Sequence, residues 1–511
     1  MCDHNGGTLS IDKNKKTATC PLHKWTLNLH KAIYENSCPK IPFKVNELEN
    51  HLEVERFNYE FNDRNTEELI DEKFEIDFNA HASITVKIDN IKLTSDPWFI
   101  GSCFATGWWH TNPPSEEAIK RLQESDYIYI SHNHPDHLHI PSLEKYVKKN
   151  TPIIVPNFES KSVEKILSNY GFNNLIITDF LRELDIETSK GKFRLVIVKS
   201  GDDRDDSSLL IANKYNKIFL GVDTNMPNKW MLPKVDLLFT AFAGGASGFP
   251  SRIENFSHSK KIEITESNRL SVLNNHVKKL VSVTKPKYVV PYAGYFTEAS
   301  RDIEVKKINR KNSPEELITY IESEFNYIKG INPLETSHFC LYKKELTAGL
   351  VNETPSYFID DDYINDEIIK FSGDVCEIKD LYLHDLGKTF IASNFQDNLT
   401  VVFLPSSDDF NNLVCKGLVI DFSIANRDYK LIECENNNDE IISKIKNPHK
   451  NNIELLYVRA SSLIGAFNRG LPLEDLSIGF QIKMFRIPNV YNFKFWNHFT
   501  NIEFINLTLF K

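Results

Sequence analysis

The chain has 511 residues, of which 41% are apolar and 25% are charged. This length predicts two to four domains of about 150 residues each, and the apolar content excludes a globally disordered chain. Sixty basic and seventy acidic residues give a net charge of −10, which argues against a nucleic-acid-binding protein. We find no run of about 20 apolar residues that would span a membrane and no secretory signal at the start. We therefore expect a cytoplasmic protein.

The N-terminal segment contains two pairs of cysteine and histidine. Cys2 and His4 form a Cys-x-His pair, and after a gap of fifteen residues Cys20 and His23 form a Cys-x-x-His pair. A Rieske 2Fe–2S cluster needs this combination, with two thiolates on one iron and two imidazoles on the other. We predict that these four residues bind such a cluster. A mononuclear zinc site with the same ligands and an accidental pairing are the alternatives.

Strands normally precede the first ligand loop of a Rieske domain, but only Met1 precedes Cys2 in this sequence. We therefore expect residues 1–44 to be a small all-β Rieske segment that is truncated at its N-terminus. Whether it assembles a cluster is an open question at this point. Residues 45–72 are rich in charge without a clear apolar period, so we interpret them as a connector.

Strand-like and helical segments are mixed from residue 73 onward. FEIDFN and SITVKIDNIKL alternate apolar and polar residues as strands do. Ser115 is followed by two glutamates, which predicts a helix N-cap. Ser313 and Glu316 form a capping box around a proline, which predicts a second helix. The mixture predicts a layered α/β domain over residues 73–335 and an α+β region over residues 336–511.

A His-x-His-x-Asp-His motif follows the predicted strand DYIYIS and contributes His132, His134, Asp136 and His137. It is the first ligand motif of the metallo-β-lactamase fold, in which a tight loop at a strand end brings alternate side chains onto a metal. We predict that His132 and His134 serve one metal position and that Asp136 and His137 serve the second. A histidine-rich surface loop is the alternative.

The later ligand positions of that fold are only partly filled. Asp223 ends the strand-like segment KIFLGVD and matches the bridging carboxylate. Asp202 stands near the position where a hydrolase usually has a histidine, and it is either a ligand or part of a solvated loop. Ala293 stands at the position of the last histidine. His81 is as consistent with a core histidine as with a metal ligand, so we leave His81 out of the predicted ligands. With so few nitrogen and oxygen ligands, the site suits a single redox iron better than two zinc ions.

A glycine-rich run, FAGGASGFP, follows the strand-like segment DLLFTA and includes Gly244, Gly245 and Ser247. Consecutive glycines expose backbone N–H groups that can form a nest for a phosphate. We predict that these three residues contact the substrate, with a tight turn that binds nothing as the alternative. The aromatic run FWNHF near the C-terminus is predicted to belong to the core rather than to stack on a base.

Nine segments, in this order along the chain, resemble the CMP-N-acetylneuraminate hydroxylase family. They are CDHNGG, TCPLHKW, DPWFIG, TGWW, DYIYISHNHPDH, FAGGASGFP, PYAGYF, IGFQ and FWNHF. The resemblance runs from Cys2 to Phe499. It implies a metallo-β-lactamase-like αββα sandwich, with the Rieske segment before it and an α+β region after it.

The resemblance implies a monooxygenase that hydroxylates the N-acetyl group of CMP-N-acetylneuraminate, or of a related nucleotide-activated sugar, to the N-glycolyl form. It implies the Rieske cluster, a non-haem iron or other divalent metal, O₂, and electrons from NADH through a donor of the cytochrome b or ferredoxin type. This chemistry is coherent, because a methyl C–H bond is too strong for acid–base attack and needs an iron–oxygen oxidant. Forming that oxidant requires electrons delivered one at a time. A hydrolase of the lactonase or phosphodiesterase kind with a vestigial Rieske segment is the alternative, and a non-catalytic metal-binding protein is a third.

Overall fold

A computed structural model describes most of the chain. The described residues are 10–19, 26–28, 33–34, 44–48, 51–55, 66–201, 204–224, 232–244, 246–349, 353–372, 380–424, 427–445 and 452–499. Several residues singled out in the sequence lie outside this set: Cys2, His4, Cys20, His23, Asp202 and Gly245, together with the side chain of Ser247.

Two small antiparallel sheets make up the described part of the N-terminal segment. Their strands are β1 (Ser10–Asp12), β2 (Thr17–Thr19), β3 (Thr26–Asn28), β4 (Ile33–Tyr34), β5 (Lys44–Leu48) and β6 (His51–Glu55). Strands β1 to β4 pair in sequence order, and β5 pairs with β6 as a hairpin. Thr19 lies opposite Thr26 in the β2–β3 pair. The sequence between these two threonines contains the predicted ligands Cys20 and His23.

Eighteen strands follow in residues 74–349. They are β7 (Phe74–Ala80), β8 (Ser83–Ile88), β9 (Ile91–Ser95), β10 (Ser102–Cys103), β11 (Trp108–His110), β12 (Tyr127–Tyr129), β13 (Ile153–Pro156), β14 (Leu175–Thr178), β15 (Glu183–Thr188), β16 (Gly191–Lys199), β17 (Ser207–Ala212), β18 (Lys217–Leu220), β19 (Leu237–Thr240), β20 (Tyr288–Pro291), β21 (Phe296–Glu298), β22 (Lys329–Gly330), β23 (His338–Tyr342) and β24 (Glu345–Gly349).

These strands form two large sheets and a small one. The first large sheet has the order β14-β13-β12-β9-β8-β7-β23-β24, and the second has the order β15-β16-β17-β18-β19-β20-β22. Strands β10, β11 and β21 form the small sheet. One apolar core holds Ile76 and Val86 of the first large sheet together with Leu195 and Leu238 of the second. The two large sheets therefore pack face to face.

Seven helices accompany the sheets. They are α1 (Glu116–Gln123), α2 (Ile140–Tyr146), α3 (Ser162–Asn169), α4 (His258–Ser271), α5 (Lys278–Thr284), α6 (Ile303–Ile308) and α7 (Pro314–Glu324). Turns of 3₁₀ helix occupy Ala246–Arg252 and Ser300–Asp302, and a π-helical turn at Val272–Val277 joins α4 to α5.

Helices cover both sheets of the sandwich. Leu122 of α1, Leu143 of α2 and Leu167 of α3 share a core with Ile128 and Ile153 of the first sheet, while α7 packs on β20 and β22 of the second. The predicted αββα sandwich is confirmed.

Both helix starts predicted from the sequence are confirmed. The Ser115 side chain accepts from Ala118 N at the start of α1, and Ser313 with Glu316 forms the capping box of α7.

A smaller α+β unit follows the sandwich. Its elements are α8 (Asp361–Ser372), α9 (Asp380–Ala392), β25 (Leu399–Ser406), β26 (Gly417–Asp421), β27 (Asp428–Ile432), α10 (Asn438–Ser443), β28 (Asn452–Arg459), α11 (Ala460–Arg469), α12 (Leu473–Ile478), β29 (Ile482–Ile487) and α13 (Phe493–Phe499). The sheet order is β27-β26-β25-β28-β29. Strands β23 and β24 follow the predicted boundary at residue 335 but belong to the first large sheet of the sandwich, where β23 pairs with β7 and β24 pairs with β23.

The smaller unit packs closely on the sandwich through α12 and the residues after it. The indole nitrogen of Trp108 donates to Ile478 O at 3.2 Å, and a Cβ placed on Gly107 would lie 2.3 Å from the Cα of Gly479. Only two glycines allow this approach of backbone to backbone. None of the helices in the described part of the chain has the length and apolar composition of a membrane span.

Candidate metal centre

The His-x-His-x-Asp-His motif follows a short, buried, central strand. Strand β12 pairs in parallel with β9 on one side and with β13 on the other, so the motif lies at the carboxyl ends of parallel strands, where ligand sites form in such sheets. Asp96, which directly follows β9, fixes the start of the motif. Its carboxylate accepts from the backbone N–H and the hydroxyl of Ser131, each at 2.8 Å.

One group of three metal-binding side chains consists of His81, Asp136 and His137. Asp136 Oδ2 lies 3.2 Å from His81 Nε2 and 3.4 Å from His137 Nε2. All three side chains are buried, with 2% or less of their surface exposed. Ala293, the position predicted to lack the last histidine, donates its N–H to His81 O at 2.8 Å. His81 therefore stands beside the gap in the sequence motif, and its side chain joins Asp136 and His137 in a group that could hold a metal ion.

The second group consists of His132, His134 and Asp223. His132 Nε2 lies 3.0 Å from His134 Nδ1, and Asp223 comes from the turn after β18. Asp223 Oδ2 also lies 3.6 Å from His137 Nε2 of the first group. The two groups are therefore neighbours, with Asp223 between them, as expected for the bridging carboxylate.

Both groups fit a metal ion. Nitrogen and oxygen ligands about 2.1 Å from one ion in tetrahedral geometry lie about 3.4 Å apart, which is close to the 3.2 and 3.4 Å separations in the first group and the 3.0 Å between the two histidines of the second. Asp136 Oδ1 is also buried without a hydrogen-bond partner among the described residues, although an unpaired buried carboxylate oxygen costs free energy. With His81 included, the described residues offer two groups of three donors rather than ligands for a single iron.

Burial, neighbouring histidines and neighbouring carboxylates together shift the pKa values of the three motif histidines. Burial, followed by the charges of His137 and His134, lowers the pKa of His132 well below its usual range. Burial opposes the charge of His134, but the hydrogen bond and charge of Glu474 outweigh it and raise the pKa of His134 to about 9. For His137, burial is outweighed by the charges of Asp136 and Asp223, which raise its pKa. The carboxylates thus supply the negative charge that a divalent cation needs.

A second layer of contacts orients the histidines. His137 Nδ1 lies 3.1 Å from Asp96 Oδ2, and His132 Nδ1 lies 2.9 Å from Ser131 Oγ. Such partners fix the orientation of a ligating imidazole and increase its basicity. Glu474 of α12 reaches His134, with its Oε2 3.6 Å from His134 Nε2. The α+β unit therefore contributes a side chain to the surroundings of the centre.

The acidic segment between β16 and β17 contributes a residue that the sequence interpretation passed over. Asp206 Oδ1 lies 3.8 Å from His132 Nε2, and Arg204 pairs with the same carboxylate at 2.8 Å. The predicted ligand Asp202 lies outside the described residues. The only indication of Asp206 in the sequence is the run of four aspartates within residues 202–206. That run does not show which aspartate side chain lies near the histidines.

Of the predicted substrate loop, the backbone of Gly244 is described and has a φ of +75°, a conformation that suits glycine. Its contact with a phosphate stays a prediction. The FWNHF run forms α13, and Phe495, Trp496 and Phe499 belong to the core of the α+β unit. The predicted core role of this run is confirmed.

No family model matches the sequence. A Danio rerio protein named cytidine monophosphate-N-acetylneuraminic acid hydroxylase is 30% identical to the chain over 538 aligned residues, which cover 98% of this chain and 86% of that protein. The chain belongs to the CMP-N-acetylneuraminic acid hydroxylase family. The Mus musculus hydroxylase is 28% identical and covers 98% of this chain. A Homo sapiens family member named as inactive is 30% identical and covers 85% of it.

Solved structures similar to this hydroxylase-family chain are more distant. CmlA, a diiron β-hydroxylase from Streptomyces venezuelae, is 16% identical, with a TM-score of 0.36 and coverage of 53% of this chain and 54% of CmlA. The metallo-β-lactamase fold protein YhfI from Bacillus subtilis is 8% identical, with a TM-score of 0.31, covering 54% of this chain and all of YhfI.

Proposed function

We propose that this protein hydroxylates the N-acetyl methyl group of CMP-N-acetylneuraminate, or of a related nucleotide-activated sugar. The observation that carries the proposal is the relationship to proteins named as CMP-N-acetylneuraminic acid hydroxylases over 98% of the chain. The buried metal centre supports it, because the described residues bring two groups of three donors together in the sandwich. One relative is named as inactive, so activity has to be measured.

In this proposal His81, Asp136 and His137 hold one metal ion, and His132, His134 and Asp223 hold the other. When bound, iron supplies the activation of O₂ that an unactivated methyl C–H bond requires. Imidazole and carboxylate ligands suit iron that keeps open positions for further ligands. The chain keeps water from the first group, since His81, Asp136 and His137 are almost fully buried. His134 and Asp223 of the second group are partly exposed, which leaves that side of the centre open to solvent.

The electrons come, in this proposal, from NADH through a donor of the cytochrome b or ferredoxin type and then through a Rieske cluster. Cys2, His4, Cys20 and His23 are the proposed cluster ligands. The support is their spacing, since a Rieske centre takes two thiolates and two imidazoles. Asp202, Gly244, Gly245 and Ser247 stay proposed as an additional metal ligand and as substrate contacts.

Three measurements on the full chain, purified without oxygen, test the proposal. Iron with acid-labile sulfide and a rhombic signal in electron paramagnetic resonance after dithionite reduction are expected for the cluster. With CMP-N-acetylneuraminate, O₂, NADH and a reductase system, mass spectrometry should show a sugar that has gained one oxygen atom. Zinc without sulfide, together with hydrolysis of a lactone or phosphodiester, would favour the hydrolase instead.

The variant His132→Ala separates the two metal systems. We expect it to abolish hydroxylation and to leave the Rieske signal unchanged, because His132 lies in the sandwich and not among the proposed cluster ligands. His338→Ala is the control, since His338 is partly exposed and pairs with Asp77 away from the centre. Turnover by the His132 variant at the wild-type rate would place the active metal elsewhere.

A further inference from the structure

A cavity of about 260 Å³ lies where the α+β unit meets the sandwich. Glu254, from the segment after a 3₁₀ turn of the sandwich, contributes to its wall, as do Tyr457 of β28 and Lys483 of β29. None of the described residues that line this junction cavity belongs to either donor group of the metal centre. A single bound water needs only about 10–15 Å³, so the cavity has room for a ligand of the size of one sugar ring.

Backbone pairing fixes the wall of the junction cavity. Tyr457 and Lys483 are cross-strand neighbours in the β28–β29 pair, so their side chains point to the same face of the sheet. The backbone N–H of Glu254 donates to Met484 O at 2.7 Å, and Glu254 Oε1 lies 3.4 Å from Lys483 Nζ. The two units are therefore joined along one edge of the cavity, and the strand pair sets where its polar side chains stand.

Phe410 lines the cavity in a strained backbone conformation. Its φ of +62° lies in the left-handed region, which costs free energy in any residue with a Cβ. The guanidinium carbons of Arg459 and Arg252 lie 4.7 and 5.2 Å from the centre of its ring, and both arginines pair with the buried carboxylate of Asp302. Backbone strain of this kind collects at ligand-binding sites, so the conformation of Phe410 is one indication of a function.

Internal hydrogen bonds orient two amide side chains of the cavity and leave each with one function for a ligand. Asn436 Nδ2 donates to Phe410 O at 3.2 Å and to Asn411 O at 2.8 Å, so its Oδ1 remains available as an acceptor. The Tyr457 hydroxyl donates to Asn438 Oδ1, so Asn438 Nδ2 remains available as a donor. Fixed donors and acceptors that converge on a cavity are typical of a ligand site.

The charges around the cavity favour an anion. Two ammonium groups, those of Lys483 and Lys261, lie 3.4 and 3.6 Å from the one carboxylate of Glu254, just as the two arginines behind the phenyl ring share one carboxylate. Four cations therefore face two carboxylates, an excess of two positive charges in a chain with a net charge of −10. The next pair, Arg301 with Asp408, is balanced. A local excess of one sign attracts ligands of the other sign.

We propose that the junction cavity binds an acidic monosaccharide, that is, a hydroxylated ring with one carboxylate, at a site separate from the metal centre. The carboxylate pairs with the ammonium group of Lys483. Ring hydroxyls both donate and accept, so one donates to Asn436 Oδ1 and another accepts from Asn438 Nδ2. An anion without hydroxyl groups, such as sulfate, only accepts and leaves Asn436 Oδ1 without a donor.

Ligand discrimination by the full wild-type chain tests the proposal. Isothermal titration calorimetry would compare D-glucuronate with D-glucose, which has the ring without the carboxylate, and with sulfate, which has charge without hydroxyl groups. We expect glucuronate to bind at least about tenfold more tightly than glucose, because charge-assisted hydrogen bonds are the stronger ones. The same margin over sulfate is expected, because a site built for hydroxyl groups rejects a ligand that lacks them. Equal affinity for glucuronate and either other ligand, or no binding of glucuronate at millimolar concentration, would overturn the proposal.

Two substitutions separate the charge from the hydroxyl contacts. Lys483→Gln removes the ammonium group, so this variant should bind glucuronate no more tightly than glucose. Asn438→Leu removes the amide donor, so glucuronate affinity should fall at least about fivefold while the preference for the acid over glucose persists. Lys388→Gln, on a lysine that is 52% exposed and pairs with Asp385, is the control and should bind as the wild type does. Circular dichroism and the melting temperature report folding, and unchanged glucuronate binding by both folded cavity variants would refute the assignment.

Competition with CMP tests whether the cavity is separate from the site of a nucleotide substrate. CMP carries no acidic sugar, so we expect saturating CMP to leave the affinity for glucuronate unchanged. Displacement of glucuronate by CMP would assign the cavity to the nucleotide and overturn the proposal of a separate site. These titrations need neither O₂ nor a reductant, so their outcome does not depend on whether the protein hydroxylates a sugar.

Discussion

His81 Nε2 lies 3.2 Å from Asp136 Oδ2, although 55 residues separate the two positions. His81 stands in the turn between β7 and β8, with a positive φ of 44°, and Asp136 stands in the loop after β12. Strands β7, β8, β9 and β12 are neighbours in one sheet, so the sheet brings the two loops to the same edge. This pairing completes a group of three donors that the His-x-His-x-Asp-His motif alone does not contain.

Replacing His81 tests whether that group holds a metal. In His81→Ala, the group keeps two donors, so we expect the protein to lose about one of two bound divalent ions and most of its hydroxylation. The fold should persist, because the other donors and the sheet are unchanged. Metal content by mass spectrometry after gel filtration is the measurement, and a full metal complement in the variant would contradict the assignment.

Asp96→Asn tests the second layer of contacts. Asp96 holds Ser131 by two hydrogen bonds and lies 3.1 Å from His137 Nδ1. An asparagine cannot offer a carboxylate to both groups, and loss of such a partner typically weakens metal binding by about 10- to 100-fold. Competition with a metal-sensitive dye would measure this. Asp428→Asn, on an exposed residue of β27, serves as the control and should bind metal normally.

Asp302→Asn tests the junction between sandwich and α+β unit. Asp302 is fully buried and pairs with Arg459 at 2.8 Å and with Arg252. Removing one partner of a buried ion pair typically costs about 3–5 kcal/mol because the remaining charge is uncompensated. Urea unfolding should show this loss. Asp408→Asn is the control, because it breaks an ion pair with Arg301 in which the carboxylate is 49% exposed. This variant should lower the free energy of unfolding by no more than about 1 kcal/mol.

Gly107→Ala tests the close approach of the same two units. The added Cβ would lie 2.3 Å from the backbone of Gly479, and the backbone cannot rotate away as a side chain could. Overpacking of this kind typically costs about 1–3 kcal/mol, which thermal unfolding would register. At Gly349 an added Cβ meets nothing within 4 Å, so Gly349→Ala should shift the stability by about 0.5 kcal/mol or less.

Local sequence rules were sufficient for the layered α/β fold and for most of the candidate site. The capping residues Ser115 and Ser313 act where they were predicted to act, because a helix cap depends only on the next three residues. The motif from His132 to His137 could also be recognised in the sequence, since its predicted ligands lie within six positions and share one loop. The structure places His132 and His134 in one group of possible donors and Asp136 and His137 in the other, and the binding of a metal ion by each group stays a prediction.

The tertiary structure alone decided which distant side chains join the site. His81, Asp96, Asp206 and Glu474 reach the motif from other loops and from the α+β unit, and no spacing rule relates them to it. The same holds for β23 and β24, which lie beyond the predicted boundary yet extend the first large sheet, since β23 pairs with β7 and β24 with β23. Periodicity reports which face of an element is apolar, whereas contact between elements depends on how sheets and units pack, and that packing brings His81 to Asp136.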